Sequence, residues 1–414
     1  MNFTKALLKY RDLLGIFKKI TNFSTMIKVI STEKIPIKLW IEDCEEGALE
    51  QARNMANLPF AFRHIAIMPD THQGYGMPIG GVLATNGVIV PNAVGVDIGC
   101  GMCALKTSLN VIDAKKLKKV MSYIRKRIPL GFNHHKEKQD EELMPSTGSM
   151  VKGGIVERQY EAALKQIGTL GGGNHFIEIQ KGSDGNIWIM IHSGSRNIGL
   201  KVAEHYNKLA VQLNARWHSG ISPKWQLAFL PIETREAREY MTEMQYCVDF
   251  ALANRMLMME NVKTSFAEVL GDDFSEIDLI NIAHNYARWE NHFKTNVIVH
   301  RKGATSANEG ETGIIPGSQG TRSYIVKGKG NYESFRSCSH GAGRALSRKK
   351  AQNDLDLKEE IAKLDKQHII HAVRTKKDLD EAPGAYKDID VVMNNQKDLV
   401  EIEVELTPLA VIKG

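Results

Sequence analysis

The chain has 414 residues, 43% hydrophobic and 25% charged, a balance that supports a sizeable folded core and excludes wholesale disorder. The formal net charge is +6, and no apolar run reaches the ~18 residues that a membrane helix needs, so a membrane partner is not expected. Five cysteines at irregular spacing do not make a secreted disulfide framework, and a reducing, cytoplasmic compartment fits them better.

In chain order, residues 1–25 are amphipathic and basic but lack the apolar centre of a signal peptide. They read as an N-terminal extension of uncertain role, because Met26 opens a more natural strand, "MIKVIS". Residues 26–42 read as short alternating strands, and 45–58 as a helix ending before Pro59. Residues 64–106 are Gly-rich with β-branched runs, which predicts strands and tight turns. A helix is expected over 111–127 and a polar loop over 131–153. "NIWIMIHSGS" (186–195) predicts a strand running into a turn, and 200–216 and 234–262 carry helical patterns. "TNVIVHRKG" returns to strand, 303–345 is again Gly- and Ser-rich, helix follows to about 375, and "DLVEIEVELTPLAVIKG" closes as strands.

Strand and helix do not alternate regularly, which disfavours a doubly wound parallel sheet, and no repeat of 20–50 residues is visible. The expected fold is α+β: one mixed domain over 26–414, with its chemistry on Gly-rich loops at strand ends.

"VGVDIGCGM" (94–102) sets Asp97 and Cys100 three residues apart among Gly95, Gly99 and Gly101. Such a pair can coordinate a metal, do nucleophilic chemistry, or line a tight turn. Four histidines lie in Gly-rich or Asn-flanked settings: His175, His192, His284 and His340. A lone histidine is more often packed or on the surface than a ligand. Four of them beside a D-x-x-C motif point to a borderline divalent metal such as Zn²⁺, Mn²⁺ or Co²⁺. Their wide spacing is not that of a zinc finger, so the fold must assemble a catalytic site.

Two segments carry phosphate-binding signals. "IIPGSQGTRSYIVKGKGN" offers backbone N–H groups and Ser318 and Ser323, with Arg322 and Lys327 nearby. "SHGAGR" sets His340 beside Gly341 and Gly343, with Arg344 just after. Glycine loops of this kind make anion nests, and an arginine adds a bidentate clamp. Each loop alone is more often an ordinary turn, but a histidine between Ser339 and Gly341 has no core to fill. Neither segment is a Walker A or dinucleotide motif. The basic run "AKKLKKVMSYIRKR" (114–127) suits nucleic acid or a solvated helix face equally well, whereas "RSCSHGAGRALSRKK" (336–350) favours phosphates.

Nine segments, in order from "MPDTHQGYGMPIGGV", "VGVDIGCGM", "GTLGGGNHFIEI" and "IHSGSRNIG" to "SCSHGAGRALSR", "AYKDID" and "VIKG", resemble the RtcB RNA ligases. Between them stand "HNYARWENH" and "RKGATSANEGETGIIPGSQGTRSYIVKG". The resemblance implies a ligase that uses GTP and two Mn²⁺ ions to join an RNA 3′-phosphate or 2′,3′-cyclic phosphate to a 5′-hydroxyl, in RNA repair or tRNA splicing, sometimes with an archease-like activator. It implies His340 as the nucleophile that takes up GMP. Cys100 would bridge both ions, Asp97 and His175 would complete one site, and His192 and His284 the other. The glycines around Asp97 and Cys100 are expected to leave room for the ions and a phosphate.

The same resemblance implies GTP contacts at Asn174, His175, Phe176, Ile177 and Glu178, at His284 and Asn285, and at Pro316, Gly317, Ser318, Gln319 and Ser323. It continues them to His340, Gly341, Ala342, Gly343 and Lys413, with Tyr386 as a stacking surface and Arg344 beside it. Gln319 stands where many relatives carry Met, one histidine rather than two precedes "NY", and residues 1–25 have no counterpart. Cys103 reads as a bystander and Cys338 as a small buried residue. The competing readings are a dinuclear metallophosphohydrolase, which needs no GTP, and an RNA-binding protein that has lost catalysis.

Overall fold

The computed structural model describes residues 26–414; the expectation for residues 1–25 lies outside the described residues. Two sheets carry the fold. Strands Lys28–Ile30, Ile37–Leu39, Ala61–Tyr75, Met77–Thr85, Thr295–Lys302 and Asn285–His292 form one six-stranded sheet in that spatial order. All its pairings are antiparallel except Ile37–Leu39 with Ala61–Tyr75.

The other sheet has seven strands, all antiparallel, in the order Glu276–Ala283, Gly101–Thr107, Ile187–Ser193, Phe176–Gly182, Val400–Lys413, Ser323–Gly328 and Thr312–Ile315. Mixed helices and mostly antiparallel sheets make this an α+β fold, as the absence of strand–helix alternation predicts. No helix among the described residues is long and apolar enough to cross a membrane.

Each sheet is covered by helices whose apolar stripes match its faces. The helix Glu46–Ala56 buries Ala52, Met55 and Ala56 against Ile37, Ile65, Ile67 and Leu83 of the six-stranded sheet. On the seven-stranded sheet, Ile177, Ile179, Ile189 and Ile191 meet Met258, Met259, Val262 and Phe266 of the long helix Arg235–Leu270. Thr234 caps that helix by accepting from the Ala237 N–H, and Gly271 at φ +62° ends it. It runs eight residues beyond the expected end at 262 because Val262 and Phe266 keep supplying the buried stripe.

The continuous helix expected to about 375 is instead two. Asp356 accepts from the Lys358 and Glu359 N–H groups, restarting a helix at Leu357–Lys366 after Arg348–Asp354. Beyond it, His368 adopts φ +58°, and Ile370 bridges in parallel to Ala410. Packing onto the sheet edge there outweighs the helical pattern. The C-terminal segment is one strand, Val400–Lys413, whose register shifts between Pro408 and Ala410, where proline has no N–H to give the ladder.

Candidate active site

Four neighbouring strands of the seven-stranded sheet bring the metal-type donors into one row. Ala283 pairs with Gly101, Met102 with His192, and His192 with Phe176. His284, Cys100, His192 and His175 therefore sit at or beside adjacent strand ends, where strands stand ~4.8 Å apart. The Cys100 Sγ lies 3.2 Å from His192 Nε2 and 3.5 Å from His175 Nε2, and His192 Nε2 lies 3.4 Å from His284 Nε2. Asp97 Oδ2 is 3.4 Å from His175 Nε2. The five donors expected from the sequence thus converge.

The rings are held in a ligating tautomer. His175 Nδ1 is 3.0 Å from the Leu170 carbonyl and His192 Nδ1 is 3.1 Å from the Asn174 carbonyl, so each Nδ1–H donates outward and leaves Nε2 with its lone pair. Burial drives the pKa values of His192 and His284 well down and that of the Cys100 thiol well up, with the neighbouring Asp97 charge adding to the latter. Asp97 is itself lowered to about 2: burial raises it, but the neighbouring His175, Cys100 and His192 together outweigh burial.

This donor set fits a cation. The Sγ–Nε2 separations approach the ~3.5 Å edge of a tetrahedron with ~2.0–2.3 Å bonds, and an ion would supply the charge that a buried thiolate lacks. Cys100, His175 and His192 form the tightest triad, their ligand atoms all within 4.8 Å of one another.

The glycines do something other than leave space for ions. A Cβ on Gly101 would come within 2.0 Å of the Ile282 carbonyl oxygen, and one on Gly99, at φ +74°, within 2.8 Å of Val248 Cα. Gly99 and Gly101 let the His284 strand and the long helix press against the D-x-x-C turn, which corrects the expectation of ligand room for these two, whereas Gly95 lines the cleft. Arg255 of the long helix locks the arrangement from beneath, donating to the Gly99 and Ser193 carbonyls at 3.0 and 2.8 Å.

His340 stands across from this row, its ring centroid 4.8 Å from that of His284. Asp70, fully buried in the strand Ala61–Tyr75, holds it through Oδ2: 2.6 Å to His340 Nδ1, 3.0 Å from the His340 N–H and 3.2 Å from the Gly341 N–H. Burial acts to raise the Asp70 pKa, but the His340 charge and hydrogen bond bring it below its usual value. Gly343, at φ +73°, admits the Asp70 backbone, since a Cβ there would lie 2.0 Å from its carbonyl oxygen. Asp70 escaped the sequence reading; its only signal was a carboxylate two residues before His72 in a Gly-rich stretch.

Asp97, Cys100, His192, His284 and His340, but not His175, line one cleft of about 860 Å³, whose wall includes Asn174, Phe176, Glu178, Asn285, the segment Pro316–Gln319, the segment His340–Arg344, Tyr386 and Lys413. At its far end Glu381, also missed, gathers three cations. Arg344 Nη1 lies 3.0 Å, Arg348 Nε 3.4 Å and Lys413 Nζ 3.5 Å from its carboxylate, and the Tyr386 hydroxyl donates to it. Burial lowers the Lys413 pKa, with Glu381 opposing. Glu178 is raised to about 8 by burial, with the Gln180 bond and Lys413 pulling the other way, and its Oε1 has no hydrogen-bond partner.

Other expected residues sit apart. Strand alternation turns Ile177 into the core beside Ile179, opposite Phe176 and Glu178. Ser323 stands behind the wall, where its Oγ accepts from Gly317 N–H at 3.1 Å and Gln180 Nε2 at 3.0 Å. Arg322 is paired to Asp390 and Glu405, both at 2.9 Å, and Lys327 to Glu403 at 2.7 Å, so neither is brought to the cleft. Asn285 acts on backbone: its Oδ1 accepts from Gly303 N–H at 2.7 Å and its Nδ2 donates to the Asp97 carbonyl at 3.0 Å. Cys103 and Cys338 are both wholly buried in apolar clusters, as expected of residues with packing roles.

The chain matches the family profile described as tRNA-splicing ligase RtcB over residues 51–156 and 138–414. It is 40% identical to the RNA-splicing ligase RtcB1 of Escherichia coli strain ATCC 25922, and 39% to the RNA-splicing ligase RtcB of strain K12, over 94% of this chain and 99% of each relative. It is 32% identical to the tRNA-splicing ligase RtcB of Thermococcus kodakarensis, over 89% of this chain and 92% of that protein. With profile and relatives spanning both the donor row and the histidine opposite it, the chain belongs to the RtcB family of RNA-splicing ligases.

Proposed function

We propose that this ligase joins an RNA 3′-phosphate or 2′,3′-cyclic phosphate end to a 5′-hydroxyl end, with GTP as co-substrate and a histidine–GMP intermediate at His340. One observation carries the reading: His340 donates Nδ1–H to the buried Asp70 and shares a cleft with the thiol–imidazole row. Its Nε2 is then the free lone pair. In the proposed sequence Nε2 attacks the α-phosphorus of GTP and pyrophosphate leaves. Where the end is a 2′,3′-cyclic phosphate, water first cleaves the bond from phosphorus to the 2′-oxygen to leave a 3′-phosphate and a 2′-hydroxyl; the RNA 3′-phosphate oxygen next takes the GMP from His340. The 5′-hydroxyl oxygen then attacks the activated 3′-phosphorus, and GMP departs. Each hard displacement becomes an easier one because a good leaving group is in place.

Asp97, Cys100, His175, His192 and His284 would hold the two Mn²⁺ ions, which when bound would neutralise phosphate charge and orient the displacements. Asp70 orients the ring by taking its Nδ1–H, which turns Nε2 to the cleft, and stabilises the ring as it gains charge. Arg344, Arg348 and Lys413, which together outweigh the single carboxylate of Glu381, would meet the nucleotide, with Tyr386 alongside. The walls at Asn174, Phe176 and Pro316–Gln319 would enclose it. Roles in RNA repair or tRNA splicing, within the cytoplasm and with an archease-like activator, belong to the same proposal.

The test is incubation with GTP labelled at the α-phosphate, with and without Mn²⁺. Label retained on the denatured protein, and lost in His340→Ala, is expected. Absence of covalent label, with phosphate release instead, would favour the dinuclear hydrolase.

A further inference from the structure

We propose that Phe132 and the basic helix Ala114–Arg127 form a binding surface for single-stranded RNA beside the strap that holds His175, a reading that rests on RNA being the substrate. Phe132 is 98% exposed, the most exposed large apolar side chain among the described residues. An aromatic ring held wholly in water loses burial free energy that a folded chain ordinarily gains. Its loop is nonetheless fixed by backbone bonds: Gly131 N–H donates to the Gly171 carbonyl at 3.2 Å, Leu170 N–H to that of Pro129 at 3.0 Å, and Asn133 N–H to that of Leu130 at 3.1 Å. Arg196 Nη2 donates to the Gly131 carbonyl at 3.2 Å. Leu170 also takes the Nδ1–H of His175 through its carbonyl. Phe132 is therefore anchored one residue from a strap that holds a donor of the metal-type row.

The helix that leads into this loop, "AKKLKKVMSYIRKR", carries seven cations and no carboxylate. Leu117, Val120, Met121 and Ile124 form its buried stripe, which leaves the lysines outward. Among the described residues its one ion pair joins Arg127 to Glu268. Lys119, Lys126 and Arg127 surround the Tyr123 ring at 5.9, 5.3 and 5.6 Å. Helix stability accounts for Arg125, Lys126 and Arg127 in the last turn, where the dipole favours cations, but not for the lysines of the first turn. Lys115 and Lys116 occupy the first turn, where the helix dipole disfavours cations, and Asp113 compensates by accepting from both their N–H groups. A cationic face with no carboxylate, whose first turn carries lysines against the dipole, suits a polyanion. The exposed ring at its end suits an unpaired base, because stacking takes any base while the lysines follow the phosphates. A duplex offers no open base face to Phe132.

The experiment measures affinity for a fluorescent single-stranded RNA bearing a 3′-phosphate, without GTP, at several salt concentrations, alongside GTP labelling of the same variants. Phe132→Ala is expected to weaken RNA binding by roughly tenfold, with Phe132→Trp restoring it. Replacing Lys115, Lys118, Lys119 and Lys126 by Gln is expected to flatten the slope of log affinity against log salt by about one for each phosphate no longer neutralised. Covalent labelling by GTP should persist in every variant, which separates a failed surface from a failed ligase. Unchanged affinity in Phe132→Ala, or an unchanged salt slope in the lysine variant, overturns the proposal. So does an equal loss for duplex and single strand in Phe132→Ala.

Discussion

Asp70 shows how much a single side chain decides. Its Oδ2 receives three hydrogen bonds, two from backbone and one from His340 Nδ1. Asp70→Asn keeps the shape, with its amide oxygen still taking the two backbone N–H bonds, but it removes the negative charge that stabilises the ring as it gains charge. Labelling by GTP is expected to fall by about 10²-fold or more, with metal content unchanged; labelling at the wild-type rate would remove Asp70 from this role. Glu178 supplies a pH test. Burial raises its folded-state pKa to about 8, so the native state holds the proton more tightly than the unfolded chain. Its contribution is whole below the ordinary carboxylate pKa and is lost as pH rises through about 8. Glu178→Gln cannot ionise, so its stability relative to the parent should climb from about pH 4.5 to pH 8 by at most ~1.4 kcal/mol per unit and then level off. Chemical denaturation across that range in GTP-free protein checks it, and a flat difference would mean that Glu178 is ionised throughout. At this scale the sequence was informative where chemistry is rare. Cysteine and histidine in glycine settings announce themselves: the five donors converge, and four of them, Asp97, Cys100, His192 and His284, share one cleft with His340. Asp70 and Glu381 did not stand out, because carboxylates are common and their meaning lies in the partners that folding brings.

Among the elements, the strands made the site legible and their alternation limited it. His284, Cys100, His192 and His175 sit at strand ends, which glycine punctuation marked. The face that each residue takes was harder to read. Ile177 lies between two cleft residues yet turns into the core, and Arg322 and Lys327 pair with carboxylates that are distant in sequence. The helix expected to 375 failed for a similar reason, since Ile370 gains more against Ala410 than from another helical turn. The strand Val400–Lys413 carries its own prediction. Its register sets Lys413 opposite Phe176, with Nζ 5.5 Å from that ring centroid and 3.5 Å from Glu381. Lys413→Ala should cost about 1.5–3 kcal/mol of nucleotide binding, roughly ten- to a hundredfold in GTP affinity. It should spare ligation of RNA already carrying a 3′-terminal GMP cap. Equal labelling at limiting GTP would show that the ammonium does not contact the nucleotide.

For the whole molecule, the donor row ties together segments far apart in the chain, so an ion that binds it should brace the fold as well as serve chemistry. A ligand that binds only the native state stabilises it by about 2.7 kcal/mol at a hundred times its dissociation constant. Mn²⁺ is therefore expected to raise the melting temperature in a concentration-dependent way, and Cys100→Ser to blunt the rise while metal analysis shows loss at both positions. A variant that keeps two tightly bound ions and the full thermal shift would refute a shared thiolate.

The central place of Val400–Lys413 also governs the order in which the protein can come into being. This strand lies between Phe176–Gly182 and Ser323–Gly328, and it is synthesised after both. Until it arrives, two strand edges face each other with unpaired N–H and C=O groups, an invitation to pair with neighbouring chains. A ribosome stalled before residue 400 would hold a chain with every donor of the thiol–imidazole row already made, yet without Lys413 or a closed sheet. Such a fragment would hold the thiol–imidazole row and open sheet edges that invite aggregation, but would lack Lys413 beside Glu381.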